Sequence, residues 1–113
     1  MTRQVHRPLE DAEFDFVLTM SPGPVLAHFT GSWPKAIETG RAMDALLAEL
    51  AEEYGARLTA VRVDITRCPA ATRRYGVTGA PTVLLLRGGD GPAARHEGPL
   101  GAEEFRAFVD AHL

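Results

Sequence analysis

One cysteine, Cys68, stands in a chain of 113 residues, and that scarcity excludes more than any other count. A lone thiol forms no internal disulfide, no C-x-x-C pair and no cysteine-rich zinc site, so dithiol chemistry within one chain is ruled out. Histidines are sparse too: His6, His28, His96 and His112 show neither H-x-x-x-H nor H-E-x-x-H spacing, which argues against a metal centre. There is no G-x-S-x-G elbow, no Walker-type glycine loop and no G-x-G-x-x-G after a strand, so no cofactor is expected. No apolar run approaches the ~20 residues of a membrane-spanning helix, and Met1 to Leu9 carries Arg3, His6 and Arg7 without an apolar stretch behind them. The expectation is a cytoplasmic protein with no membrane partner. Nor does charge of one sign dominate: 12 Lys+Arg against 15 Asp+Glu leave a net charge of −3, with the signs interspersed and no broad basic face for nucleic acid.

What is present is an ordinary core. With 45% hydrophobic and 24% charged residues, the composition is that of one soluble domain spanning residues 1–113. Phe14, Val17 and Leu18 recur at helical spacing between Glu10 and Met20, where Ser21-Pro22-Gly23-Pro24 breaks the pattern. Val25 to Phe29 is a compact run read as a central strand buried on both faces. Met43, Leu46, Leu47, Leu50 and Tyr54 form a helical stripe closed by Gly55, and Leu58 to Ile65 alternates as a half-buried strand. Pro69 opens a short helix reaching Tyr75, with Cys68 at its N-cap and Gly76 after its end. Thr82 to Leu86 is a third buried strand and Ala93 to Glu97 an edge strand, joined by a turn at Gly88-Gly89-Asp90-Gly91. Ala102 to His112 is a last helix facing inward through Phe105, Phe108 and Val109, and a further short strand is expected near Gln4 to His6. The predicted architecture is α/β, a central mixed sheet of four or five strands with helices on both faces.

Val25-Leu26-Ala27-His28-Phe29, Trp33, Tyr75-Gly76-Val77 and Gly79-Ala80-Pro81-Thr82 together resemble the thioredoxin family, over a stretch from about Pro24 to Leu113. The resemblance implies the thioredoxin fold. It also implies that Pro81 is the family's cis-proline opposite the active site and that Gly98 lies beside the same groove. Where the family writes W-C-G-P-C, however, this chain has Trp33-Pro34-Lys35-Ala36-Ile37, so both catalytic cysteines are gone. The stretch from Trp33 to Met43 is about three residues longer than the family's on the helix spacing, which suggests a remodelled loop. His28 stands where many thioredoxins bury an aspartate.

Without a thiolate to attack and a second thiol to resolve, disulfide reduction has no route through residues 33–37. The favoured reading is a redox-inactive, chaperone-like or assembly module that binds a protein or extended peptide in a groove formed by Trp33, Pro34, Gly79, Ala80, Pro81 and Gly98. Cysteine-free relatives such as hydrogenase-maturation chaperones point the same way, by analogy of fold. His28 reads as a structural core residue, with Arg62 and Asp64 as its expected partners. The alternatives are a monothiol redox sensor or thiol enzyme acting through Cys68, or a structural subunit of a larger complex. Cys68 reads first as an inert capping residue; under the sensor alternative the helix N-terminus and the adjacent Arg67 lower its pKa, and its place on the sheet edge shared with Trp33 lets a bound partner reach it or a second copy form a disulfide-linked homodimer.

Overall fold

The computed structural model describes residues 5–87 and 92–113. The expected turn at Gly88 to Gly91 lies outside the described residues, as does Gln4. The chain runs α1 (Asp11–Met20), β1 (Val25–Thr30), α2 (Pro34–Tyr54), a single 3-10 turn (Gly55–Arg57), β2 (Thr59–Asp64), α3 (Pro69–Arg74), β3 (Thr82–Leu86), β4 (Pro92–Glu97) and α4 (Ala102–His112).

The four strands lie in the order β2-β1-β3-β4. β1 and β2 are parallel, with His28 opposite Arg62, and β3 runs antiparallel to both β1 and β4. The parallel pair requires a crossover, and α2 supplies it. All six residues of β1 are buried, as expected for a strand with neighbours on both sides and helices above and below, whereas β4 at the sheet edge is largely exposed. Of the short strand expected near Gln4 to His6, the described residues show an isolated bridge beside β2: His6 pairs with Val61 in parallel, its N–H donating to the Ala60 carbonyl at 3.0 Å while its own carbonyl accepts from Arg62 N–H at 2.8 Å.

Strand alternation divides the core into two layers. Leu26, Ala60, Val83 and Leu85 face α2 and α4, where they meet Met43, Leu47, Leu50, Phe105 and Val109. Val25, Ala27, Phe29, Val61, Val63, Leu84 and Leu86 face α1 and α3, around Phe14 and Ala71. Phe14, Phe29 and Tyr75 form a cluster with centroids 6.3–6.4 Å apart, edge to face or tilted, a geometry that adds to simple burial.

The stretch from Trp33 to Met43, where the lengthened spacing suggested a remodelled loop and Pro34 a helix entry, is a helix entry: Trp33 caps a continuous 21-residue helix that begins at Pro34. Pro34 sits in its first turn, where a missing N–H costs nothing, and Ala36, Glu38, Arg41 and Ala42 are good helix formers. Gly40, a poor one, is required by packing: a Cβ there would lie 2.9 Å from Thr30 Oγ1. Gly76 follows α3 with φ +63°, a conformation that favours glycine.

Candidate functional site

Three segments converge at the C-terminal end of β1. The first turns of α2 bring Trp33, Lys35, Ala36 and Thr39, the α3–β3 connection brings Thr78 to Thr82, and the end of β4 brings Glu97, Gly98 and Pro99. They enclose an open cleft of about 440 Å³. The Ala80-Pro81 peptide bond is cis. Gly98, with φ +98°, donates its N–H to the Pro81 carbonyl at 2.8 Å, and Thr82 Oγ1 donates to the Gly79 carbonyl at 2.8 Å, so the loop is braced from both sides.

Trp33 is the N-cap residue of α2 and remains 41% exposed. Its ring lies over Gly31, where a methyl group would overlap it. Of the six residues expected to form the groove, Trp33, Gly79, Ala80, Pro81 and Gly98 line this cleft, whereas Pro34 does not. Helix geometry explains the difference: Pro34 faces solvent and Lys35, Ala36 and Thr39 turn toward the opposing loop. Not expected were Lys35, Ala36 and Thr39, whose contribution depends on how α2 is rotated against the loop, and Thr78, Thr82, Glu97 and Pro99, which flank the expected residues of the other two segments.

Beneath the start of α2, His28 is fully buried on the α2 face of β1. Its Nδ1 donates to Asp44 Oδ1 at 3.0 Å, and Arg62 Nε donates to Asp44 Oδ2 at 2.8 Å. Asp44 thus joins His28 to Arg62, while Asp64, the other expected partner, turns to Thr66 instead and accepts from its N–H at 2.8 Å and from its hydroxyl at 2.6 Å. His28 Nε2 is buried without a hydrogen-bond partner among the described residues. Partial burial works to raise the Asp44 pKa. The hydrogen bond and charge of His28, with the charge and hydrogen bond of Arg62, outweigh it and hold the carboxyl below its ordinary value.

Cys68 does occupy the N-cap position of α3, and its reading as an inert capping residue fits, whereas the lowered pKa of the sensor alternative is reversed. The side chain is fully buried among the residues packed around Phe14, with Sγ directed at the Pro8 carbonyl 3.9 Å away. The α3 amides that were to stabilise a thiolate are taken by Asp11 of α1, which accepts from Ala70 N–H at 3.2 Å and Ala71 N–H at 2.9 Å. Burial, followed by the negative charges of Asp11, Asp64 and Glu13, pushes the thiol up to about 11, and Arg67 offsets only part of this. The buried thiol is not among the residues lining the cleft, and the acidified Cys68 on which the sensor alternative rests is not what the structure shows.

A parallel strand pair joined by a helical crossover, extended by an antiparallel hairpin and carrying a cis-proline loop at one end, defines a thioredoxin fold, here with no thiol in the cleft. The family model described as "Thioredoxin" matches residues 5–111. The chain is 30% identical over 105 residues to "Thioredoxin" of Acidithiobacillus ferridurans, covering 93% of this chain and 94% of that one. It is 28% identical over 102 residues to "Thioredoxin" of Allochromatium vinosum, with 90% and 92% covered. Against "Thioredoxin" of Pseudomonas aeruginosa it is 28% identical over 103 residues, with 91% and 92% covered. The chain belongs to the thioredoxin family.

Proposed function

We propose that this thioredoxin-family chain works as a noncovalent, chaperone-like or assembly module in the cytoplasm. On this reading it holds an extended segment of a partner protein in the cleft between Trp33 and the Pro81 loop and does not reduce disulfides. The observation that carries the reading is the cleft itself, which keeps an exposed aromatic ring and a braced loop while residues 33–37 contain no thiol. Disulfide exchange needs an attacking thiolate and a resolving thiol; the chain's one thiol is buried beneath α1 and α3. What the cleft retains is suited to peptide: an amphipathic ring to cover an apolar side chain, and irregular backbone at Gly79 and Ala80 for main-chain hydrogen bonds.

Two measurements test this. In the dithiothreitol-driven insulin reduction assay the chain should leave the uncatalysed rate unchanged, and turnover at equimolar loading would contradict the reading. A reduced, carboxymethylated, tryptophan-free protein, which presents extended segments, should shift the emission of Trp33, the chain's single tryptophan. Binding of the same protein, read by its own fluorescein label, should weaken in Trp33→Ala; unchanged binding there would place the contact elsewhere.

A further inference from the structure

The charges around the cleft are not balanced. Two charged side chains line it, Lys35 from α2 and Glu97 from β4. Glu97 is already answered: Arg95 Nε donates to its Oε1 at 3.2 Å, and the same guanidinium is fixed by the carbonyls of Tyr75 at 2.5 Å and Gly76 at 2.6 Å. Lys35 is exposed and has no ion-pair partner among the described residues; Glu38, one turn further along α2, does not pair with it. It is the uncompensated charge of the cleft.

Its surroundings reinforce that sign. The first turn of α2 contains no acidic residue, and Trp33 at the N-cap offers no side-chain acceptor to the helix amides. The first intrahelical bond is Ile37 N–H to the Trp33 carbonyl at 2.9 Å, so the amides of Lys35 and Ala36, both cleft residues, precede the hydrogen-bond ladder. The net charge of −3 acts over distances that physiological salt screens within about 8 Å, whereas a group seated in the cleft meets Lys35 directly.

We propose that the partner segment carries an aspartate or glutamate set against Lys35, next to an apolar residue covering the exposed face of Trp33. This rests on the reading of the cleft as a peptide site and names the chemistry of its occupant: an extended polypeptide segment in which an acidic residue neighbours an apolar one.

The test uses three tryptophan-free, fluorescein-labelled peptides with one leucine-rich frame and glutamate, glutamine or lysine at the central position. Binding is followed by peptide anisotropy, and contact at the cleft by Trp33 emission. The glutamate peptide should bind roughly two- to fivefold more tightly than the glutamine peptide, the range an exposed ion pair supports, and the lysine peptide most weakly. Lys35→Gln should abolish the order and Lys35→Glu should reverse it; both changes fall on an exposed side chain and leave the core intact. Equal binding of all three peptides, with Trp33 emission still responding, would overturn the acidic preference and leave the cleft reading standing. Failure of every peptide to perturb Trp33 would overturn both.

Discussion

Asp44 holds two cations or donors at once, and removing it should cost more than its partly exposed position suggests. In Asp44→Ala the His28 Nδ1–H loses its acceptor at 3.0 Å while the ring stays fully buried, and Nε2 already lacks a partner among the described residues. Stranding a buried donor costs about 1–3 kcal/mol. The Arg62 pair adds little, because both side chains keep about a quarter of their exposure, 28% for Arg62 and 25% for Asp44, and such a pair contributes ~0–1 kcal/mol. The sum expected from urea unfolding at neutral pH is roughly 1–4 kcal/mol. His28→Leu exchanges the imidazole for an apolar side chain of similar bulk and removes the donor, so Asp44→Ala in that background should cost about 1 kcal/mol or less. If Asp44→Ala costs the same in both backgrounds, His28 does not depend on Asp44. A cost below about 0.5 kcal/mol in the native background would show that the bond contributes nothing.

The same carboxyl makes stability pH-dependent. Because its folded pKa lies below the ordinary value of 3.8, Asp44 stabilises the fold above that value and the contribution is lost as pH falls through the folded pKa. Asp64, held low against its own partial burial by hydrogen bonds from Thr66 and Arg67, acts in the same direction. Urea midpoints should therefore fall below about pH 4 in the native chain and fall less steeply in Asp44→Asn; parallel profiles would contradict the assignment. Cys68 should resist iodoacetamide in the native state at mildly alkaline pH and react once urea unfolds the chain, as expected for a buried thiol near 11; rapid native alkylation would refute its burial. Gly31→Ala should push the Trp33 ring off its seat, red-shifting emission and weakening peptide binding while costing at most about 1 kcal/mol, since a surface ring can swing aside. Unchanged emission would mean that the ring does not rest on Gly31.

The layers of the fold could be read from local pattern. Val25 to Phe29 and Thr82 to Leu86 are continuous apolar runs and become the two central strands, and the Met43 to Tyr54 stripe becomes the buried face of α2. Five of the six expected groove residues also meet, because the motif around Pro81 and the lone Trp33 mark two of its walls. What sequence could not supply were contacts between distant segments. Their place on the next strand suggested Arg62 and Asp64 as neighbours of His28, but Asp44 reaches the ring from α2, and a charged residue beside Met43 looks like any solvent-facing position of an amphipathic helix. The same limit reversed Cys68: reading α3 alone gives a helix N-terminus beside Arg67, whereas Asp11, some 60 residues earlier, occupies those amides and adds negative charge. Lys35 and Thr39 went unseen for a third reason. Once Trp33 to Met43 is helix rather than loop, the positions facing Pro81 are fixed by helical rotation.

The central claim, that the thiol-free cleft between Trp33 and Pro81 is where a partner segment binds, is tested most directly by amide chemical-shift mapping. The isotopically labelled chain would be titrated with the glutamate peptide. Shifts should concentrate at Trp33, Lys35, Ala36, Thr78, Gly79, Ala80 and Gly98, with the indole N–H of Trp33 among the largest. Shifts gathered instead at the hollow bounded by Leu18, Gly23 and Leu86, or on the exposed side of α1 at Phe16 and Met20, would contradict it.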